Sequence, residues 1–420
     1  MQLNIAFSVY RGNPLSGGQG VYTHYLTREL SRLGHLVTVF AGQPYPRLAE
    51  GIELVKLPSL DMYREPDPFR WPKLKELNDV TDIFEVGLRL FGGFPEPRTF
   101  STRLQKELKY HRKKFDILHD NQSLGSAIRE IARTKMPVVA SIHHPITVDR
   151  RIDLAQAETL KDRISKYRWY GFSKMQERVA KDLLKIMTVS EKSKEDIVAH
   201  MGINPGNIAV IPVGVDTGIF YPDQRLPKNN TQIIAVVSSD VYLKGMLFLL
   251  EAMNIVAKSN PSVTLLVVGK LTPDGPAHQV LKKSHFKSRI KFMHDVPEAD
   301  LAHFYRESTL AVVPSLYEGF SLPAIQALAS GLPVVATSGG ALPEVLGRDG
   351  KCAVLVEPGN VNDLAQAIVK LLETKEMRDK LASEGLKRVR ENFTWEMSAR
   401  KVVEQYEYAI AKFNYIKREY

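Results

Sequence analysis

A chain of 420 residues with a net charge of +10 and a single cysteine has no internal disulfide framework and no zinc site built on cysteines. Its 44% hydrophobic and 25% charged content is that of an ordinary globular protein, long enough for two domains of roughly 200 residues each. A pI near 9.3 favours anionic partners such as nucleotides, lipid surfaces or nucleic acid. Nucleic acid is set aside, because zinc-finger ligands and a basic-aromatic RNA-binding signature are both missing. No apolar run approaches the roughly 18 residues of a membrane span. The opening MQLNIAFSVYRG lacks the basic start and long apolar core of a signal peptide, so a cytosolic protein is expected.

In chain order, Leu3 to Val9 reads as a buried strand, followed by a loop with Gly12, Gly17, Gly18 and Gly20. A helix over Val21 to Leu33 and a strand over Val37 to Phe40 complete a βαβ unit with a glycine-rich first turn. The dinucleotide-binding pattern is not met: Thr23 stands where its third glycine belongs, and the second strand ends in Ala41 and Gly42 without a ribose-binding acid. The loop is either a tight turn or a close backbone approach to phosphate or sugar. Residues 45–97, with recurring prolines, predict an irregular, substrate-facing segment.

Phe100, Leu104, Leu108, His111 and Phe115 then share one helical face, ringed by Arg103, Lys106 and Lys109. Such a helix either packs on the sheet or lies on an anionic membrane. A strand over Asp116 to His119, a helix over Ser123 to Thr134 and a strand over Pro137 to Ile142 follow, the last ending in His143 and His144. The basic, aromatic stretch Lys161 to Ile186 reads as helices that pack or face a partner. After a strand at Ile208 to Ile211, a polar linker spans Gly214 to Asn230.

The pattern then restarts, with strands at Ile233 to Val237, Val263 to Val268, Ile290 to Met293, Leu310 to Val313 and Val334 to Ala336. Helices fall between them, so the expected fold class is α/β with parallel sheets. Cys352, at the start of an apolar run, reads as a strand residue.

The most informative stretch is SLYEGFSLPAIQALASGLPVVATSGGALPE, Ser315 to Glu344. It reads as a loop after a strand, a helix from Ser321 or Leu322 to Gly331, a strand and a Gly-Gly loop. Ligands of parallel α/β sheets bind at the carboxyl ends of strands. Free amides at helix starts suit an anion such as a diphosphate, and Glu318 beside them can hold sugar hydroxyls. Lys244, followed by Gly245 and expected to open a helix, supplies a point charge for phosphate. Gln326 falls eight positions after Glu318, two helical turns on, and its amide both donates and accepts.

These motifs resemble those of the retaining nucleotide-sugar glycosyltransferases of the GT-B fold, the glycosyl transferases group 1 of sequence family four. The resemblance covers essentially the whole chain and is strongest from Val189 to Trp395. It implies two Rossmann-like parallel-sheet domains facing a central cleft. These are an acceptor-side domain over 1–215 and a donor domain over 216–394, with a terminal helix over 395–420 that crosses back onto the first domain. It implies transfer of a sugar from a UDP-, GDP- or similar donor to a lipid, glycan or small-molecule acceptor. Configuration is retained, with no metal, no cofactor and no covalent enzyme intermediate.

By the same resemblance, Glu318 orients the sugar, Lys244 stabilises the leaving diphosphate and His143 supports the sugar or the developing charge. Donor contacts are implied for Gly17, Gly18, Ser238, Ser239, Gly319, Phe320, Ser321, Leu322, Gln326, Gly339 and Gly340. The chain departs from the family in two places. Ser238 and Ser239 stand where an arginine is usual, and Gln326 replaces the second acid. Arg11 is a candidate replacement for the missing charge. The alternative implied by the departures is a catalytically weakened GT-B protein that binds nucleotide sugar or a partner. The basic helices add an anionic membrane surface as a further partner, at the inner face of a membrane.

Overall fold

The computed structural model describes residues 1–419 except 14–17, 65–66, 68–69, 112–113, 224, 227–228, 230 and 238–240. Gly17, Ser238 and Ser239 therefore lie outside the described residues. The chain divides into two compact units. The first comprises Met1–Val189, Ser193–Ile211 and Ser398–Tyr420, and the second Ser190–Lys192 and Pro212–Met397.

The first unit is built on seven parallel strands: β1 (Asn4–Val9), β2 (Leu36–Ala41), β3 (Glu53–Lys56), β4 (Ile117–Asn121), β5 (Val138–Ile142), β6 (Lys185–Thr188) and β7 (Ile208–Val210). Their order is β3-β2-β1-β4-β5-β6-β7. Helices cover both faces of the central strands, so β1 and β5 are nearly continuous apolar runs without alternation. The direction of winding reverses between β1 and β4, where the outgoing loops part and leave a crevice at the carboxyl edge.

The helix Glu96–His111 lays Phe100, Leu104 and Leu108 into the core beside Phe40, Phe115 and Leu118. Its apolar face is thus taken by the sheet, and of the two readings of this helix the packed one holds. Residues 45–97 are more regular than expected: they contain β3, a short 3-10 turn Leu74–Glu76 and a helix Val80–Leu90 capped by Asp79. The helix expected from Ser123 begins only at Ser126. The buried Asp120 carboxylate accepts from Leu124 N–H at 2.7 Å and from the Ser123 hydroxyl at 2.5 Å, which holds the intervening residues out of a helix. Gln122 and Leu124 both take positive φ there, 60° and 46°.

The terminal helix Trp395–Glu419 joins the first unit from Ser398 onward. Its Tyr406, fully buried, meets His119 Nδ1 at 2.6 Å. His119 Nε2 in turn lies 2.8 Å from Ser141 Oγ, which is 3.1 Å from Tyr22 Oη.

The second unit has six parallel strands: β8 (Gln232–Val236), β9 (Thr264–Val268), β10 (Ile290–Met293), β11 (Leu310–Val313), β12 (Val334–Thr337) and β13 (Ala353–Val356). Their order is β10-β9-β8-β11-β12-β13, with the reversal between β8 and β11. Leu249, Leu250 and Met253 of the helix Met246–Ser259 pack with Leu364, Ile368 and Leu371 of the helix Val361–Glu373 in its core. Cys352 is buried one residue ahead of β13. Both units are thus parallel-sheet α/β folds, as the alternating sequence pattern implied.

The Tyr406–His119 contact can be weighed directly. In Tyr406→Phe a fully buried imidazole nitrogen loses its partner, which costs about 1–3 kcal/mol. Urea denaturation should show a lower midpoint at unchanged slope. A wild-type midpoint would mean that this hydrogen bond adds nothing to stability.

Candidate active site

In the second unit the site grows from the two loops at the strand reversal. The segment after β8 ends in a 3-10 turn, Tyr242–Lys244, and then Gly245 at φ 72° before the helix Met246–Ser259. A Cβ on Gly245 would sit 2.0 Å from the Pro314 carbonyl oxygen, so only glycine lets this turn press against the end of β11. Leu316 N–H donates to Leu243 O at 2.8 Å across the same seam. The consequence is an ion pair between two residues that the sequence nominates separately. Lys244 Nζ lies 2.9 and 3.1 Å from the two carboxylate oxygens of Glu318. Ser315 Oγ donates to Glu318 Oε1 at 2.7 Å. The side chains are 30% and 12% exposed, so the pair is partly buried and partly open to a ligand.

Lys244 does not open the helix, as expected, but closes the turn before it. The electrostatic awkwardness of a lysine near a helix start is relieved here by Glu318.

The Glu318 backbone is fixed by the next loop. Ala341 N–H donates to Glu318 O at 2.8 Å. Gly340 has φ 64°, and a Cβ there would lie 2.2 Å from the Glu318 carbonyl oxygen. Thr337 Oγ1 ties the end of β12 to the Ser315 carbonyl and receives Gly339 N–H at 3.3 Å.

The helix Leu322–Ala329 then begins without a side-chain cap. Its N-cap residue, Ser321, takes φ 92°, is 5% exposed, and its hydroxyl has no hydrogen-bond partner among the described residues. Uncapped amides and an unsatisfied hydroxyl at one helix start form an anion-binding arrangement.

Two donor-contact expectations change in character. The Phe320 side chain is buried against Phe393, ring centroids 5.6 Å apart, so its role is packing that fixes the loop carrying Glu318 and Gly319. Glu318 precedes the helix, so its spacing from Gln326 is not two helical turns. Gln326 is buried in the helix, and its side-chain amide makes no hydrogen bond among the described residues.

In the first unit His143 follows β5, with its N–H donating to Gln122 Oε1 at 2.8 Å. Its Nε2 lies 2.6 Å from Asn121 Oδ1. The Asn121 amide is oriented by donation from Nδ2 to Thr23 Oγ1 at 3.1 Å and to Gln19 O at 3.3 Å. Oδ1 can only accept, so Nε2 carries the ring hydrogen and Nδ1 keeps its lone pair. Tyr22 stands edge-on to the ring at 4.4 Å. Burial lowers the imidazole pKa to about 4, so it is neutral at physiological pH. His144 is turned to Asp149, at 2.7 Å. Asn121 and Gln122 were not nominated from sequence. The available signal is a run of polar residues closing an otherwise apolar strand.

Gly18 is exposed at the start of the helix Gly18–Arg32. Arg11, the candidate replacement for the missing arginine, is paired within its own unit: both Glu96 carboxylate oxygens accept from its Nη1 at 3.0 Å. Burial pushes the Glu96 carboxyl up to about 7. Among the described residues, no cluster of three or more His, Cys, Asp or Glu is placed to hold a metal ion.

Both units are doubly wound parallel sheets, and the solved structures and family models that match them are those of GT-B glycosyltransferases. Among solved structures, sucrose-phosphate synthase from Thermosynechococcus elongatus superposes with a TM-score of 0.74 at 21% identity, covering 98% of this chain and 100% of that one. Anabaena HepE in complex with UDP-glucose gives a TM-score of 0.69 at 18% identity, covering 96% and 99%. Residues 16–218 match the model of Glycosyltransferase Family 4 and residues 231–374 that of Glycosyl transferases group 1. The MMP alpha-(1->4)-mannosyltransferase of Mycolicibacterium hassiacum is 43% identical over 98% of this chain and 99% of its own. The D-inositol 3-phosphate glycosyltransferase of Corynebacterium glutamicum is 24% identical over 95% and 93%. The chain belongs to glycosyltransferase family 4, and it is a hexosyltransferase.

The Asn121–His143 contact has a measurable signature. Asn121→Asp places a carboxylate against Nε2 and raises the imidazole pKa from its lowered value of about 4. Protonation would turn Nδ1 from acceptor to donor. In ring 15N spectra, wild-type His143 should remain the Nε2–H tautomer down to about pH 5 and titrate higher in the variant. Identical titrations would show that Asn121 does not set the state of this ring.

Proposed function

We propose that the chain transfers a mannosyl group from a nucleoside-diphosphate donor to a glycan hydroxyl, forming an α-(1→4) linkage with retention of configuration. The observation that carries this reading is the Lys244–Glu318 pair beside the uncapped start of the helix Leu322–Ala329, where the Ser321 hydroxyl lacks a partner. The sugar and linkage follow from the name of the 43% identical relative. The nucleotide is supported by the UDP and UDP-glucose in structures that share the fold.

In this mechanism the diphosphate meets the amides at the start of the helix and the Ser321 hydroxyl. Lys244 turns part of its charge from Glu318 to the phosphate. Glu318, relieved of some of that pairing, accepts hydrogen bonds from sugar hydroxyls, and Gln326 serves the ribose hydroxyls. Fixed donors and charges of this kind stabilise the leaving group as its negative charge grows, usually the largest contribution to such a reaction.

The anomeric carbon–phosphate bond breaks with its electron pair going to the diphosphate. The acceptor oxygen bonds to the same carbon on the same face. The acceptor proton leaves with the departing phosphate oxygen, so no covalent enzyme intermediate forms. His143, neutral and with Nδ1 free of the ring hydrogen, accepts from a substrate hydroxyl and brings no positive charge. With serines at 238 and 239, Lys244 is the cation assigned to the phosphate, and backbone amides carry more of its binding.

A thermal-shift series with GDP, GDP-mannose, UDP and UDP-glucose, without added metal, tests donor binding. A donor at about 100 times its dissociation constant stabilises by about 2.7 kcal/mol. A shift with one nucleotide series is expected, and no shift with any would favour the weakened-site alternative. In transfer assays Glu318→Ala and Lys244→Ala should each lose about tens-fold or more while melting as folded proteins. Because the two act as a pair, the double variant should be little worse than the poorer single one. Wild-type rates in folded Glu318→Ala would sink the assignment.

A further inference from the structure

The helix Val80–Leu90 is inside out. Val80, Ile83, Phe84 and Leu90, with Phe91 just beyond, recur at helical spacing and form one stripe. All five are exposed, between 45% and 78%. The inward face is polar: Asp82 and Glu85 are buried, each carboxylate 2.6 Å from Arg103 Nη2. The apolar stripe carries no charged side chain of its own and stays exposed among the described residues, with the Arg98 guanidinium 5.9 Å from the Phe84 ring.

A second helix with exposed apolar residues ends beside this one. Leu160, Ile164 and Tyr167 of the helix Leu160–Trp169 are also exposed and share a face. Their neighbours Lys161, Arg163 and Arg168 are exposed cations, and the same helix carries one acid, Asp162, already 2.9 Å from Lys166. The two helices meet where the Arg168 stem would lie 3.7 Å from a Cβ on Gly92. Their connection is stiffened by aromatic contacts of Phe94 with Tyr63, Trp169 and Phe172, all at 5.2 Å between centroids. Trp71, 59% exposed, stands at the margin under Arg89, 5.0 Å from its ring.

We propose that this face docks on an anionic lipid surface. An apolar stripe flanked by lysine and arginine fits the interfacial layer of a bilayer, where the stripe enters the acyl boundary and the cations meet lipid phosphates. Charge complementarity decides against a second copy of the chain: a two-fold contact through this face would bring one basic helix near its equivalent. Both helices lie in connections that leave the carboxyl ends of β3 and β5, the sheet edge that also bears His143. Docking would hold that edge at the lipid surface. No helix among the described residues is long and apolar enough to cross a membrane, so the contact is peripheral.

The proposal stands apart from the donor-site reading and is tested without activity. The purified chain is sedimented with vesicles of phosphatidylcholine alone or with about one-third phosphatidylglycerol. Binding to the anionic vesicles is expected, weakened by salt, with little on the neutral ones. Ile83→Glu combined with Leu90→Glu, and separately Lys161→Glu combined with Arg163→Glu, should each reduce it about tenfold or more at wild-type melting temperature. These side chains are exposed, so the variants should fold. Absence of binding, equal binding to both vesicles, or unchanged binding by either variant overturns the proposal. So does a wild-type dimer in sedimentation velocity that Ile83→Glu dissolves, because the face would then be covered by a second copy.

Discussion

The second unit depends on one ion pair. Lys244 and Glu318 come from loops on either side of the strand reversal between β8 and β11, and everything near them serves to keep those loops in register. Gly245 lets one turn touch the end of β11, and Gly340 lets the loop after β12 close on the Glu318 backbone. A partly buried cation with no counter-charge would be costly, and so would a partly buried acid. Pairing them lets each charge offset the other. In the proposed reaction an arriving diphosphate would redistribute an existing charge, which limits the desolvation cost of binding.

The first unit solves a different electrostatic problem. His143 is kept neutral by burial, and its ring hydrogen is assigned to Nε2 by an asparagine whose own amide is held by Thr23 and Gln19. His119, one layer deeper, is pushed down to about 3 by the same desolvation and spans Tyr406 and Ser141. His119 connects the terminal helix through Ser141 to Tyr22 by hydrogen bonds, and the Tyr22 ring stands edge-on against His143. Arg11 and Glu96 show the opposite device, a buried carboxyl held by a guanidinium whose charge is thereby committed internally. Charge offered to a ligand and charge used to hold the fold are thus distinguishable only by what each group touches.

That distinction explains what the sequence could convey. The inner strands were legible because strands buried on both faces are continuous apolar runs, and β11 and β12 bracket the motif in which Glu318 was found. Lys244 and Glu318 were each nominated from the sequence, but their pairing across 74 positions was not, because nothing local encodes which loops meet at a reversal. The late start of the helix at Ser126 depends on the carboxylate of Asp120, a buried residue whose partners include Ser8 on the adjacent strand β1, 112 positions earlier in the chain. Asn121 looked like an ordinary strand-end polar residue until its orientation fixed the His143 tautomer.

The helix Val80–Leu90 was illegible for a sharper reason. Hydrophobic periodicity finds a helix but assigns its apolar face to the core, and here that assignment is reversed. Rotating the helix by half a turn would bury Ile83, Phe84 and Leu90 and return Asp82 and Glu85 to water, with no change of composition. Burial of large apolar side chains is worth about 1.5–3 kcal/mol each, whereas burial of paired charges is close to neutral at best. The rotated arrangement would therefore be favoured for an isolated soluble domain. Arg103, fixed on the helix Glu96–His111 beneath, blocks it by requiring both carboxylates on the inner side. A buried ion network that selects the less favourable orientation makes physical sense only where the outward apolar face has something to meet.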